Sequence, residues 1–544
     1  MSYNLSVLFE QVTDAVAERT AVIVGTRREL TYAQLDERAN RLAHYLAGAG
    51  VGAGDHVGLL LVNGTEYLEG MLAAFKLRAV PVNVNYRYVA RELEHLFTDA
   101  DLLALVAHRR FGPQVAEVAP QVALLRCLIT VDDDSGAAIP EGSADYEEAL
   151  RESSPVRDFE GRTSDDLYIA YTGGTTGMPK GVLWRHEDIF FASMGGGDPT
   201  RTQGAITTPE QLVERILPVA SVQLVTAPLM HVSGHWGAFG TLYSGGTVVL
   251  ADPGPFDPAA VLDLAARVGA HVITLVGDAM VRPVAELLRD HPGGWDLSSL
   301  FVLASGGALL SSTTKDLVHR VLPNVILLDG YGATETGIAA SEVRLPGSDA
   351  AHGARFTVDE HTAVLDDTLQ RVAPGSGIVG HLARRGHLPI GYHKDPEKTA
   401  ATFLEVNGVR WALPGDHATV DANGTIVLHG RESLTINTGG EKVFREEVEE
   451  VLLDHPAIQD AVVVGVPDER WGQRVIAVVE PCSGASVTLE DAQEHCRRAL
   501  AGYKVPRDIV VVDRVQRAPN GKADYAWARA RVEAGPSLRP PLRP

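Results

Sequence analysis

The sequence predicts an α/β protein: a large N-terminal part of mixed, largely parallel sheets covered by helices, then a small, mobile C-terminal α/β domain. Three observations predict it. Short apolar runs that read as buried strands alternate with helical periodicities over residues 1–430, the pattern of parallel sheets covered by helices. The composition then changes near residue 430, after short strands and turns such as the hairpin signal Asp421-Ala-Asn-Gly424. Residues 431–530 carry a compact second pattern of helix, two strands, helix and strand.

The elements follow in order. Thr31 with Gln34 three residues on forms a capping box, and Leu35, Ala39, Leu42, Ala43 and Leu46 share one helical face until Gly48 and Gly50. Val57–Val62 reads as a buried strand, the segment through Leu68, Met71, Leu72 and Phe75 as a helix, and Val80–Val84 as the next strand. Further strands are expected at Asp166–Tyr171, Leu224–Ala227, Val272–Val276, Leu300–Ala304 and Val325–Leu328. Gly195–Gln211, rich in Gly, Thr and Pro, reads as a mobile loop. In the small domain, helices are expected at Glu446–Leu453 and Leu489–Ala501, and strands at Ala461–Val466, Val475–Val479 and Ile509–Val512. The proline-rich end, residues 531–544, reads as disordered.

Composition excludes some partners. The formal net charge of −22 argues against a nucleic acid, because a polyanion is repelled overall. Cys127, Cys482 and Cys496 are odd in number and far apart, which fits neither a disulfide framework nor a structural zinc and suits a reducing compartment. The N-terminus lacks a basic start followed by an apolar run, and no stretch reaches the roughly 20 apolar residues of a membrane span. A cytoplasmic protein without an integral membrane segment is expected.

The chemistry concentrates in a few segments. YTGGTTGMPKG, Tyr171–Gly181, packs glycines, threonines and a lysine behind a strand. Glycines let backbone N–H groups turn toward an anion, hydroxyls add donors, and Lys180 adds a point charge. It is not a Walker A loop, because Met178 and Pro179 separate Gly177 from Lys180. In Tyr331-Gly-Ala-Thr-Glu-Thr-Gly337 an aromatic ring can stack on a base, Thr334 can donate to a phosphate, and Glu335 is a hard oxygen ligand suited to Mg²⁺. Asp416, in Leu413-Pro-Gly-Asp416, can accept from two ribose hydroxyls. Alone, that turn and the lysine of Pro519-Asn-Gly-Lys522 read equally as surface structure.

Together and in this order, these motifs, with GR at 430–431 and TGGEKVFREEVEEVL from Thr438, resemble the adenylate-forming superfamily of acyl-CoA synthetases, adenylation domains and luciferases. LWRHEDI from Leu183, GDAMVRP from Gly277 and AGYKVPR from Ala501 are most similar to bacterial fatty-acyl-CoA synthetases, including those acting on steroid side chains. The resemblance implies an ATP-dependent acyl-CoA ligase with Mg²⁺ and coenzyme A, acting on a hydrophobic carboxylic acid. It assigns Thr172, Gly173, Gly174, Thr175, Thr176, Gly177 and Lys180 to the ATP phosphates. Asp329, Gly330, Tyr331 and Gly332, with Gly306, Gly307 and Ala308, fall to the adenine. Thr334 falls to the α-phosphate, Glu335 to the metal, and Asp416 and Arg431 to the ribose. Lys522 would bridge the substrate carboxylate and the α-phosphate, with His231 beside the reacting centre. Gly439 and Gly440 would line the CoA channel. His231, Val232, Gly234, His235, Trp236, Val276, Gly277 and Asp278 are the expected acyl-pocket walls, their glycines suggesting room for a bulky group.

The resemblance also implies that the small domain rotates between two half-reactions. Ser433 replaces the charged residue common at the hinge, and His381 replaces a common glutamate. Loading of a carrier protein instead of CoA, and nucleotide binding without catalysis, are the competing functions. A homodimer is compatible with these readings.

Overall fold

The computed structural model describes residues 2–172, 178–198, 203–308, 310–348, 355–431, 435–438, 441–468, 472–518 and 521–534. These form three sheets. The first has a parallel centre, in which Thr20–Val24, Thr247–Leu250, Val222–Val225, Val272–Leu275, Val302–Gly306 and Ile326–Ala333 lie side by side. It turns antiparallel at Gly337–Arg344 and continues through Arg355–Val358 into a lobe containing Asp416–Val420 and Ile426–Arg431. The second sheet is parallel from Ala144–Asp145 across to Leu167–Thr172, with Lys180–Arg185 and Gly391–Tyr392 added antiparallel at its edge. The α/β class and the mixed, largely parallel sheets match the expectation.

The third sheet is built only from residues 436–511. Its central strand Ile458–Asp468 shows why it needs helices on both faces. Alternate side chains Ala461 and Val463 join one cluster with the helices Arg445–Leu453 and Leu489–Ala499. Val462, Val464 and Val466 join another with Ala528 of the helix Tyr525–Glu533, as the two-residue period of a strand requires.

Local signals worked where they were strong. Thr31 Oγ1 accepts from Gln34 N at 3.2 Å and Gln34 Oε1 accepts from Thr31 N at 2.9 Å. All five apolar residues predicted for that helix face are fully buried. Three expectations change. The strand expected at Val325–Leu328 runs on as Ile326–Ala333, because Gly337–Arg344 pairs with it residue by residue. The chain end expected to be disordered from residue 531 is helical to Glu533, since Asp524 caps Trp527 N at 2.9 Å and Ala528 is buried; residues 535–544 lie outside the described ones. The segment Gly195–Gln211 is pinned where described: Asp198 Oδ2 accepts from Gln203 N at 2.6 Å and Gly204 N at 2.7 Å, and Ile206 is buried. All three cysteines are free thiols. Among the described residues, no helix is long and apolar enough to cross a membrane.

A buried ion network ties the N-terminal helix Leu5–Val16 to the body. Lys76, with no exposed side-chain surface, lies 2.5 Å from Glu10 and 2.7 Å from Asp36. Arg162 and Arg157 reach the same two carboxylates at 2.7 and 2.8 Å. Removing one member of such a cluster leaves charge buried and uncompensated. Lys76→Met is therefore expected to cost about 3 kcal/mol and to lower the thermal midpoint in calorimetry. An unchanged transition would refute the structural weight given to this network.

Candidate active site

The candidate groups gather where the edge of the second sheet meets the end of the first. Strands Leu167–Thr172 and Lys180–Arg185 pair antiparallel, with Thr172 opposite Lys180. The phosphate-loop segment thus connects two strands of one hairpin, rather than running from a strand into a helix. Gly173, Gly174, Thr175, Thr176 and Gly177 lie outside the described residues, but both flanks are anchored. The Asn83 carboxamide accepts from Tyr171 N at 2.7 Å and donates to Tyr171 O at 2.8 Å and Met230 O at 2.7 Å. Tyr171 Oη donates to Asp99 at 2.7 Å. Lys180 pairs with Asp395, and its ammonium holds the Asp395 carboxyl below its usual range.

The second motif is a hairpin too. Tyr331–Ala333 belongs to the strand, and Thr334–Thr336 make the turn into Gly337–Arg344. Trp184, fully buried on the phosphate hairpin, donates Nε1–H to Thr334 O at 3.0 Å. Tyr392 Oη donates to Glu335 Oε1 at 2.6 Å, and Tyr392 itself pairs with Val182 of that hairpin. The two motifs are thus one mechanical unit, 150 residues apart in sequence.

Along this strand the expected adenine residues divide. Gly306 and Gly330 lie opposite each other in register. With Gly332 and Gly307 they make a strip bare of side chains, beside which Ala308 packs on the core. The Tyr331 ring stands 5.8 Å from that of Phe356. Asp329 is different: its carboxylate is buried and pairs with Lys315 Nζ at 2.8 Å, which also reaches Glu342 at 2.7 Å. That carboxylate is held through Oδ2 in an ion pair inside the fold.

His231 precedes the helix Val232–Tyr243, and its buried Nε2 has no hydrogen-bond partner among the described residues. Burial, and then the positive field of Lys522, lower its pKa to about 4, so the imidazole is neutral near pH 7. Lys522 comes from the other lobe. Arg517 pairs with Asp460 at 2.6 and 2.7 Å, and Ala518 N donates to Lys522 O at 2.8 Å, which closes the turn carrying the lysine. Gly521, with φ of +69°, lies so close that a Cβ there would be 3.0 Å from Val276 O and Cγ1. Pro519 and Asn520 lie outside the described residues.

The other expected pocket walls are less open than their sequence suggests. A Cβ on Gly234 would fall 2.4 Å from Pro228 O. That glycine therefore seats the helix on a backbone turn and does not make room for an acyl group. His235 is fully buried: its Nδ1–H donates to Leu229 O over 2.7 Å and its Nε2 is bonded to Tyr168 Oη, to which Trp236 Nε1 donates at 3.2 Å. Val232 packs on the same core. Gly277 N donates to Ser305 Oγ at 3.0 Å, and Asp278 accepts from Ser311 N at 2.9 Å and Oγ at 2.6 Å. Asp278 is an anchor between helices, so of these residues Val276 and His231 are the ones facing the Lys522 turn.

Asp416 is buried and stands opposite Arg431 in register; nothing of the Arg431 side chain is described. Glu446, from the small-domain helix, lies against Gly430, where a Cβ would be 2.2 Å from Oε2. Its Oε2 has no hydrogen-bond partner among the described residues. Burial, the neighbouring Glu449 and Asp416 push its carboxyl up to about 8, against the pull of Arg445. Gly439, Gly440 and Ser433 lie outside the described residues. His381 stands 3.3 Å from Asp367, and its ring centroid lies 4.7 Å from that of His417, the two rings tilted by 51°.

Sequence reasoning missed Asn83, Trp184, Tyr392, Asp395 and Lys315. Two had a signal. Asn83 interrupts an otherwise apolar run, and a buried carboxamide there needs partners. Asp395-Pro396 is a helix start, Asp395 accepting from Lys398 N at 2.9 Å, placed directly after the edge strand.

The chain was compared with known proteins. Residues 8–391 match the model of the AMP-binding enzyme family, and residues 447–522 that of the AMP-binding enzyme C-terminal domain. A 3-oxocholest-4-en-26-oate–CoA ligase of Rhodococcus rhodochrous is 45% identical over 99% of this chain and 97% of its own. A medium/long-chain-fatty-acid–CoA/3-oxocholest-4-en-26-oate–CoA ligase of Mycolicibacterium smegmatis is 43% identical over 99% and 98%. The crystal structure of ATP-bound MatB from Rhodopseudomonas palustris superposes with a TM-score of 0.81 at 25% identity, covering 97% of this chain and 99% of that one. With both family models matched in order along it and relatives more than 40% identical over nearly its whole length, the chain belongs to the AMP-binding enzyme family.

Proposed function

We propose that the protein is an AMP-forming acyl-CoA ligase that activates a hydrophobic carboxylic acid, a fatty acid or a steroid side-chain acid, in the cytoplasm. The observation that carries this is the docking of Gly521 on Val276, which sets Lys522 beside the buried, neutral His231. The relatives supply the acid class: their names specify steroid-26-oate and medium- or long-chain fatty acids.

The chemistry follows from charge. A carboxylate is a poor acyl donor because oxide would have to leave. Its oxygen attacks the α-phosphorus of ATP, and the bond to pyrophosphate breaks. The CoA sulfur then attacks the acyl carbonyl and AMP leaves. The first step joins two anions, so positioned cations and donors must offset their repulsion. Lys522 serves the carboxylate and α-phosphate. Lys180, leaving Asp395, serves the outer phosphates with the loop Thr172–Gly177. Thr334 donates to the α-phosphate, and Asp416 with Arg431 holds the ribose. The glycine strip and Tyr331 give the purine a flat seat. Gly439 and Gly440 face the CoA arm in the second half-reaction, after rotation of residues 431–530.

A Mg²⁺ ion fits Glu335. Tyr392 occupies one carboxylate oxygen, and no described cluster of three or more His, Cys, Asp or Glu could hold a metal by itself. One protein carboxylate completed by substrate phosphates is the usual arrangement for this ion. When bound, the ion supplies neutralisation of phosphate charge.

Two outcomes test the reading. Lys522→Ala should reduce acid-dependent ATP–pyrophosphate exchange by about 100-fold or more, while still converting supplied acyl-adenylate and CoA to thioester; normal exchange in that variant sinks the assignment. Docking of the small domain should also depend on pH. Glu446 takes up a proton on burial, because its carboxyl rises from the ordinary carboxylate range to about 8. The docked orientation is therefore favoured at the acid end of that window and loses ground as pH rises toward its upper end. Glu446→Gln should flatten the pH dependence of adenylation between about pH 5 and 8, measured against the parent; parallel profiles would show that Glu446 plays no part.

A further inference from the structure

Lys522 can act only while the small domain holds the docked orientation, so the contacts that hold it are part of the chemistry. Two of them converge on Arg282. It lies on the large-domain helix Gly277–Asp290, with 11% of its side chain exposed. Its nearest carboxylate, Asp278 at 3.6 Å, already accepts from Ser311 N and Oγ. Threonines pack its guanidinium on its own side: Thr314 Oγ1 at 3.2 Å from Nε, and Thr313 Oγ1 at 3.2 Å from a terminal nitrogen. Ser311 Oγ, also on its own side, lies 3.5 Å from the same terminal nitrogen, and two further partners are across the boundary. The terminal nitrogens donate to Leu453 O and Ile458 O, each at 3.5 Å.

Leu453 is the last residue of the small-domain helix Arg445–Leu453, which has acidic residues in its first turn and no basic residue in its last. The final carbonyls of a helix have no partner within it, and its C-terminal end carries partial negative charge. A cation normally placed in the last turn is absent from this helix, and Arg282 stands in that place from the other domain. Thr313 Oγ1 donates to the same Leu453 O at 3.4 Å, Ser312 Oγ to Asp454 at 3.2 Å, and Gln459 Nε2 to Glu286 at 3.3 Å. On the same helix as Arg282, Gly277 follows Val276, on which the Lys522 turn rests.

We propose that Arg282 is an interdomain cap: a positioning residue that holds the C-terminal end of the small-domain helix and thereby sets Lys522 at the reacting carboxylate. It acts in the adenylating orientation and is released when the small domain rotates. This inference rests on the ligase reading above. It makes the two half-reactions respond differently to one substitution outside the residues assigned to the nucleotide.

The test measures both half-reactions in the full-length enzyme. ATP–pyrophosphate exchange with a long-chain fatty acid reads adenylation; supplied acyl-adenylate with CoA reads thioester formation. Arg282→Met should slow exchange by about tenfold, the effect of losing charged hydrogen bonds, while the thioester rate stays equal to the parent's or rises. Arg282→Lys, which keeps the charge, should recover part of the loss. Gln459→Ala, on the small-domain side, should shift the same ratio in the same direction by a smaller factor, and it decides the matter if Arg282→Met does not fold. Equal losses in both half-reactions by folded variants, or no loss in either, overturn the cap. Lys522→Ala run in parallel separates the levels: if it also retains exchange, or if the parent shows none with any acid, the ligase reading is what has failed.

Discussion

In the proposed ligase reaction a cation carried by the small domain would have to reach a buried reaction centre without being held there permanently, and the contacts around Lys522 are those such a constraint requires. The phosphate hairpin, the Thr334–Thr336 turn and His231 all belong to the body formed by the first two sheets. Lys522 belongs to the third. Its approach depends on one close backbone contact, Gly521 on Val276, at a distance that a side chain would obstruct. The lysine turn is rigid on its own side, through Arg517 and Asp460, while the contacts across the boundary are hydrogen bonds and one helix end. That division suits a part that must arrive in a fixed shape and leave again.

His231 shows what the constraint does to chemistry. Burial and the nearby ammonium keep it neutral, so it adds no second positive charge beside Lys522 and contributes a polar atom with no hydrogen-bond partner among the described residues. Lys180 is paired with Asp395 at the rim, a partner that a polyphosphate can outbid because it carries more charge. Glu446 puts a carboxyl against the Asp416 strand, neutral when covered.

Much of the fold was legible because its signals are local. A capping box, a continuous run of valines and an Asn-Gly turn act through neighbours in sequence, so Thr31, Val462 and Asn423 announced their elements. Boundaries were less legible where pairing decides them. Tyr331 lies inside a strand because Gly337–Arg344 pairs alongside, and residues 531–533 are helical because Ala528 finds a hydrophobic face to cover. The site was legible in part. Glycine-rich and hydroxyl-rich motifs advertise phosphate chemistry by composition. The residues that aim them, Asn83, Trp184 and Tyr392, look like ordinary strand residues until the strands are brought together.

By itself, the sequence determined the α/β class, the split into a large body and a small C-terminal unit, the family, and which residue types are available for handling a nucleotide and a carboxylate. These follow from patterns within tens of residues and from motifs in a fixed order. Tertiary structure alone decided that Asp329 is paired with Lys315, that Gly234 seats a helix and does not widen a pocket, that Glu335 is held by Tyr392, and that Arg282 reaches the end of a helix in the other domain. Each depends on a contact between segments far apart in the chain. Burial, ion pairing and close approach are properties of neighbours in space, and the linear order of residues does not contain them.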